Sequence, residues 1–80
     1  MNNMREKIKT LLEDVVPLAD LESDFLFAEL DSLGVTAILM TLATEYDIEL
    51  EAADATPRNL KTLDSIVDMV KRKLEEKEAQ

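Results

Sequence analysis

The chain contains no cysteine, no histidine and no tryptophan, and it has a single glycine among its 80 residues. Without cysteine or histidine it lacks thiol nucleophiles, disulfides, imidazole bases and the usual ligands of transition metals. A Ser-His-Asp triad is therefore impossible within it. Only carboxylates, amines and hydroxyls remain in a chain too short for a deep active site, so we expect neither enzymatic activity nor a resident metal.

Aromatic residues are scarce as well, since Phe25, Phe27 and Tyr46 are the only ones. Because hydrophobic residues still make up 46% of the chain, the composition is globular and the core must be aliphatic. A chain of this length supports one core, so we expect a single domain over residues 1–80. It shows no apolar run of membrane-spanning length and no signal-peptide segment, which predicts a cytoplasmic protein without membrane insertion.

Positive charge is missing from the middle of the chain. Residues 10–57 hold twelve aspartates and glutamates but no lysine or arginine. Such a field repels phosphates, so nucleic acid is excluded as a partner. It attracts basic protein surfaces, which predicts a protein partner of that kind.

Apolar spacing predicts a first helix over residues 3–16, which Pro17 ends. The connection over residues 17–31 is long for a small bundle. We expect its apolar side chains to pack over the core; these are Leu18, Leu21, Phe25, Phe27 and Leu30.

A second helix is predicted from Ser32 to Tyr46, and it has two apolar faces. The stronger face follows helical spacing and consists of Val35, Ile38, Leu39, Leu42 and Tyr46. The weaker face consists of Leu33, Thr36, Ala37, Met40 and Ala43. Since a helix in a small bundle needs one buried face, the weaker one is either more core or a docking surface for another protein.

Residues 48–51 alternate between apolar and acidic side chains, as an extended segment does. Thr56 and Pro57 then predict the cap and first turn of a short helix through Leu60. A last helix follows Thr62, with one apolar side made of Leu63, Ile66, Val67, Val70 and Leu74. The predicted fold class is all-α, a small bundle of three main helices and one short helix.

The most informative motif is Leu30-Asp31-Ser32-Leu33, at the start of the second helix. A serine at this position is most often a cap, worth about 1 kcal/mol. Here Asp31 also places a carboxylate beside the hydroxyl, where it could help to hold a divalent cation during phosphoryl transfer. A phosphodiester on Ser32 would lie at the positive end of the helix dipole. Because the chain has no thiol, it could carry thioesters only through an attached arm.

These features resemble the acyl carrier protein family, which includes aminoacyl and peptidyl carriers. The resemblance is sharpest over Asp31-Ser32-Leu33 and along residues 39–50. A second stretch, residues 56–67, looks most like the third-to-fourth helix region of carriers for amino acids and peptides. It implies an acyl-carrier-like fold and a 4′-phosphopantetheine arm, which a phosphopantetheinyl transferase moves from coenzyme A to Ser32 with transient help from Mg²⁺. It also implies a monomer that holds acyl or aminoacyl thioesters and meets an acyl or aminoacyl ligase and downstream transferases.

The resemblance further implies that Leu33, Thr36 and Met40 face partner enzymes, together with Glu45, while Leu39, Leu42 and Tyr46 face inward. Carriers of fatty acid synthesis usually have several acids along this helix, where the present chain has Ala37, Ala43 and Thr44. A carrier in a specialised biosynthetic pathway is therefore favoured. The alternatives are an aminoacyl or D-alanyl carrier loaded by an adenylating ligase, and an unmodified helical adaptor that binds proteins through the weaker apolar face.

A second motif, Leu63-Asp64-Ser65-Ile66, mimics the first. Only fifteen residues follow Ser65, and they suffice for one ordinary amphipathic helix. We therefore interpret Ser65 as a polar residue in the first turn, near the Thr62 cap, and not as an attachment site.

Overall fold

The structure is a computed structural model that describes residues 3–79. Three α-helices account for most of the described chain: α1 (Met4–Val15), α2 (Ser32–Tyr46) and α3 (Leu63–Glu78). Two short 3-10 helices lie in the connections, at Leu26–Glu29 and Ala52–Asp54. Residues 3–79 contain no β-strand. The predicted all-α class and the three main helices are confirmed.

The helix ends follow local sequence. Asn3 caps α1, because its side-chain oxygen accepts a hydrogen bond from the Glu6 backbone N–H at 3.0 Å. Val16 forms the other cap, directly before Pro17, which cannot continue a helix. The predicted boundaries at Asn3 and Val16 are thus the two cap residues. At α3, Thr62 is the N-cap, as expected.

The three helices contact one another around an aliphatic core, and no described aromatic side chain is fully buried. Both α1 and α3 present one apolar side to it, as their spacing predicts. The largest fully buried side chains are Ile8, Leu12, Leu26, Ile38, Leu42, Leu60, Leu63, Ile66, Met69 and Val70.

The connection between α1 and α2 packs on the core, but partly through other residues than expected. Leu21 and Leu26 are buried, whereas Leu18 and Phe25 are 99% and 70% exposed, so their predicted packing is wrong. The Leu26 N–H donates to the Lys61 carbonyl at 2.8 Å, which anchors the connection beside the start of α3. Because Leu26 fills this core position, the adjacent Phe25 points to solvent.

Ion pairs hold the same connection to α1 and α3. The Arg5 guanidinium binds Glu22 at 2.6 Å and Asp64 at 2.8 Å, and Lys9 binds Glu22 at 3.1 Å. The hydrogen bonds from Arg5, and then those from Lys9, hold the pKa of Glu22 down at about 2. Glu22 therefore stays ionised and bridged over a wide range of pH.

The short helix predicted over residues 56–60 is wrong, because this segment forms a single hydrogen-bonded turn. Thr56 caps the turn as expected, accepting a hydrogen bond at Oγ1 from the Asn59 N–H at 3.0 Å. The turn cannot continue, since Thr62 must be extended to cap α3. The Ala52–Asp54 helix was not predicted. Before it, Ile48 is buried and Glu49 exposed, in line with the alternation noted above.

Within residues 3–79, no helix combines the length and the apolar composition needed to cross a lipid bilayer.

Candidate functional site at the start of helix α2

Asp31 sets the geometry at the start of α2. It is the N-cap residue, in extended conformation, and its carboxylate Oδ1 accepts a hydrogen bond from the Gly34 N–H at 2.7 Å. Its own carbonyl accepts the first intrahelical hydrogen bond, from the Val35 N–H at 2.9 Å. Asp31 therefore takes the capping role, and the next residue, Ser32, is the first of the helix.

Ser32 is exposed, and its environment differs from that of the other two serines. The Ser23 Oγ accepts a hydrogen bond from the Phe25 N–H at 3.0 Å. The Ser65 Oγ lies 3.0 Å from the Thr62 Oγ1, within a half-buried first turn. In the described chain, Ser32 is the one serine whose hydroxyl makes no such contact. The interpretation of Ser65 as a first-turn residue beside the Thr62 cap agrees with this geometry.

The start of α2 also fits a phosphodiester on Ser32. The first amides of any helix lack intrahelical acceptors, and the aligned peptide dipoles place partial positive charge there. Asp31 satisfies the Gly34 amide, while the amides of Ser32 and Leu33 precede the first intrahelical bond. These two amides are therefore available to donate to an anion on the Ser32 oxygen. Asp31 and the acidic side chains around it add no positive charge to the site.

The chain's single glycine allows close packing directly behind the site. Gly34 is buried, and a Cβ placed on it would lie 3.3 Å from both the Val16 Cγ1 and the Asp31 Oδ1. A side chain at this position would push against both neighbours. Gly34 thus lets the end of α1 and the capping carboxylate approach the first turn of α2 together.

The two faces of α2 separate as the apolar spacing predicts. Ile38 and Leu42 are fully buried, and Val35, Leu39 and Tyr46 pack against the core. On the other side Leu33 and Met40 are 81% and 65% exposed, and Thr36 is exposed too. The second apolar face is therefore a surface and not additional core, with Ala37 and Ala43 half-buried at its edges.

Glu45 lies near the end of the same helix and is part of an ion pair. Its carboxylate is 2.9 Å from the Lys7 ammonium, which also lies 5.2 Å from the centre of the Tyr46 ring. Both charged side chains are partly exposed. A partner cation can therefore reach Glu45 only in competition with Lys7.

The structure adds a groove that the sequence did not predict. It lies beside Ser32, between the segment after α1 and the first turns of α2, and it has a volume of about 700 Å³. Leu18 and Glu29 line it, although neither had been assigned to the site. The available signal was the Pro17-Leu18 pair, which places a large apolar residue directly after a helix-ending proline.

Comparisons with known proteins bear on this geometry. Neither the comparison with curated proteins nor that with solved structures finds a match. A family model described as the phosphopantetheine attachment site matches residues 4–71, which include α1, α2 and most of α3. Proteins of this family carry 4′-phosphopantetheine covalently on a serine, act as carriers and not as catalysts, and interact with phosphopantetheinyl transferases and biosynthetic enzymes. With most of its length matched, the chain belongs to the phosphopantetheine attachment site family.

Proposed function

We propose that Ser32 is the serine that carries 4′-phosphopantetheine, and that the chain presents acyl or aminoacyl thioesters on this arm to partner enzymes. The observation that carries the proposal is the contrast among the three serines. Ser32 is exposed with its hydroxyl uncommitted, while the Ser23 and Ser65 hydroxyls make local hydrogen bonds. A modifying enzyme can thus reach Ser32 without breaking a contact of the fold.

In the attachment reaction, the Ser32 Oγ attacks the phosphorus that bears the pantetheine half of coenzyme A. A new P–O bond forms at Ser32, the diphosphate P–O bond breaks, and the adenosine bisphosphate half leaves. The hydroxyl proton passes to a base of the transferase, because this chain has no histidine and the adjacent Asp31 carboxylate is assigned to Mg²⁺. The product is a phosphodiester at the start of α2, where the helix dipole favours its negative charge.

Asp31 supports this step through its position. One oxygen of its carboxylate is held by the Gly34 N–H, so the carboxylate is fixed beside Ser32. It can supply a ligand to Mg²⁺ bound by the transferase and the diphosphate of coenzyme A, because Mg²⁺ is usually held by one or two carboxylates plus phosphate oxygens.

The partner surface that we propose consists of Leu33, Thr36 and Met40, with Glu45 at its end. The exposure of Leu33 and Met40, with exposed Thr36 between them, supports this, because contiguous exposed apolar patches commonly mark protein contacts. The lack of lysine and arginine over residues 10–57 favours partners with basic surfaces. The neutral middle of α2 favours enzymes of a specialised pathway, including an adenylating ligase that loads amino acids.

Intact mass tests the proposal. The chain is incubated with a broad-specificity phosphopantetheinyl transferase, coenzyme A and Mg²⁺, and its mass should rise by one phosphopantetheine. Ser32→Ala should abolish the gain, while the matched controls Ser23→Ala and Ser65→Ala should retain it. No gain with several transferases, or a gain that survives Ser32→Ala, would overturn the assignment.

A further inference from the structure

The groove beside Ser32 is large enough for a small group. Its volume of about 700 Å³ lies within the range of roughly 300–1,000 Å³ usual for small-molecule sites. The residues directly before and after Ser32, Asp31 and Leu33, both line it. An arm attached to Ser32 therefore keeps the group that it carries near the groove, so binding there needs no separate association step.

The walls of the groove are mainly apolar. Val16, Leu18 and Leu30 line it from outside α2, and Leu33 and Ala37 line it from α2. Leu18 and Leu33 are the two most exposed large apolar side chains in the described chain. Contact of an apolar group with either side chain would remove part of it from water, which is favourable in proportion to the area covered.

Two carboxylates, those of Glu29 and Asp31, lie among the lining residues, and each is held by a backbone amide. The Glu29 Oε1 accepts a hydrogen bond from the Asp20 N–H at 2.8 Å, and the Asp31 Oδ1 accepts one from the Gly34 N–H at 2.7 Å. Each carboxylate has acceptor positions left over for a cationic ligand. No lysine or arginine is among the lining residues. The groove thus favours a positive charge and disfavours a negative one.

We propose that this groove is a subsite for the cargo, and that it selects an apolar aminoacyl group over an acyl group that carries a carboxylate. The inference rests on the proposed attachment at Ser32. The apolar side chain of the cargo lies between Leu18 and Leu33, and its α-ammonium faces Glu29 and Asp31. This assigns the substrate class from the chemistry of the groove: an amino acid with an aliphatic side chain.

The test compares four forms of the full chain by NMR. One form carries the arm alone on Ser32, and three carry it acylated through a stable amide in place of the thioester. The cargoes are leucyl, 4-methylpentanoyl, which has the same shape without the amine, and succinyl, which adds a carboxylate. We expect leucyl to shift the methyl signals of Leu18 and Leu33 and the amide of Ala37 most, 4-methylpentanoyl less, and succinyl no more than the arm alone.

Single-residue variants test whether the shifts caused by the leucyl group arise in the groove. Leu18→Asn and Leu33→Asn should each reduce the leucyl-induced shift at Ala37, whereas Phe25→Asn, another exposed apolar residue of the connection that does not line the groove, should leave it unchanged. Glu29→Gln keeps an acceptor for the Asp20 amide but removes the charge. It should reduce the difference between leucyl and 4-methylpentanoyl, while the control Asp24→Asn should preserve it.

The outcomes separate the two proposals. If no arm can be attached to Ser32, the proposed function itself is wrong. If the arm attaches and the leucyl form gives no shift beyond the arm alone, only the cargo subsite is wrong. Equal shifts with all three cargoes would overturn the charge selection, and full shifts with the arm alone would mean that the arm fills the groove.

Discussion

The carboxylate of Asp31 accepts a hydrogen bond from the Gly34 backbone N–H at 2.7 Å, across the first turn of α2. This bond assigns the capping role to Asp31 and leaves the intervening Ser32 exposed at the first helical position. Asp31 thus caps the helix, and the hydroxyl of Ser32 stays available for the attachment that we propose there.

Asp31 variants separate its structural role from its chemical role. Asp31→Asn can still accept the Gly34 hydrogen bond, so the free energy of unfolding should change little, whereas Asp31→Ala should lose about 1 kcal/mol with the cap. Both variants lack the charge, so both should slow phosphopantetheinylation by roughly tenfold or more, as expected when a charged contact worth about 1.5 kcal/mol is lost. Urea unfolding and a time course of intact mass measure the two effects. An Asn variant modified at the normal rate would contradict the charge role.

Truncating a side chain should lower the free energy of unfolding much more on the buried face of α2 than on its exposed face. Leu42 is fully buried, so Leu42→Ala should lower the free energy of unfolding by about 2–5 kcal/mol. Leu33 is largely exposed, so Leu33→Ala should change it by no more than about 0.5 kcal/mol.

Binding of a partner enzyme provides a second measurement for the exposed face of α2. Leu33→Ala should weaken the association with a phosphopantetheinyl transferase, measured as a rise in the apparent KM for the carrier. Thr10→Ala serves as the control, because Thr10 is an exposed residue of α1 and is not part of the proposed partner surface. An unchanged KM for Leu33→Ala would remove Leu33 from the partner surface.

Glu22 should contribute to acid sensitivity. Its folded pKa of about 2 lies below the ordinary value of 4.5, because hydrogen bonds from Arg5 and Lys9 favour the ionised form. A depressed pKa gives stability that is present above pH 4.5 and is lost as pH falls toward 2. Glu22→Gln should therefore reduce the dependence of the unfolding midpoint on pH in this interval, and Asp24→Asn should not. An identical pH profile for Glu22→Gln and the native chain would mean that the bridge does not stabilise the fold in solution.

Asp47, which ends α2, is the only described non-glycine residue with a positive φ, at φ 52° and ψ 52°. Asp and Asn tolerate this left-handed conformation better than other residues that carry a side chain. Asp47→Ala should thus cost about 1 kcal/mol of unfolding free energy, while Asp47→Asn should cost little. Lys77 contacts both the Asp47 carbonyl and its carboxylate, so Lys77→Met is the control for loss of these contacts. A loss for Lys77→Met equal to that of Asp47→Ala would show that the contacts, and not the backbone, explain the effect.

Local signals in the sequence predicted those parts of the fold that depend on helical periodicity and on caps. The spacing along α2 identified its buried and exposed faces, and Pro17 and Thr62 identified helix ends. The failures depend on tertiary contacts. Nothing local distinguishes Leu26, which is buried and bonded to the Lys61 carbonyl, from its exposed neighbour Phe25.

The site shows the same division. The start of α2 at Ser32 could be predicted from residue types and order alone, and the role of the Asp31-Ser32 pair stays a prediction. The groove could not, because it arises where the segment after α1 meets the first turns of α2, and Gly34 sets how closely they approach. The lining of the groove by Leu18 and Glu29 follows from this packing.

Peptide mass spectrometry of the modified chain locates phosphopantetheine and so tests attachment at Ser32 directly. Trypsin does not cleave between Lys9 and Arg58, because that stretch contains no lysine or arginine. Ser32 therefore lies on a peptide of residues 10–58, and Ser65 lies on a peptide of residues 62–71. Cleavage after Glu29 and Glu45 then isolates residues 30–45, in which Ser32 is the only serine. Attachment at Ser32 places the whole mass gain on residues 30–45. A gain on residues 62–71, or on the fragment that contains Ser23, would contradict it.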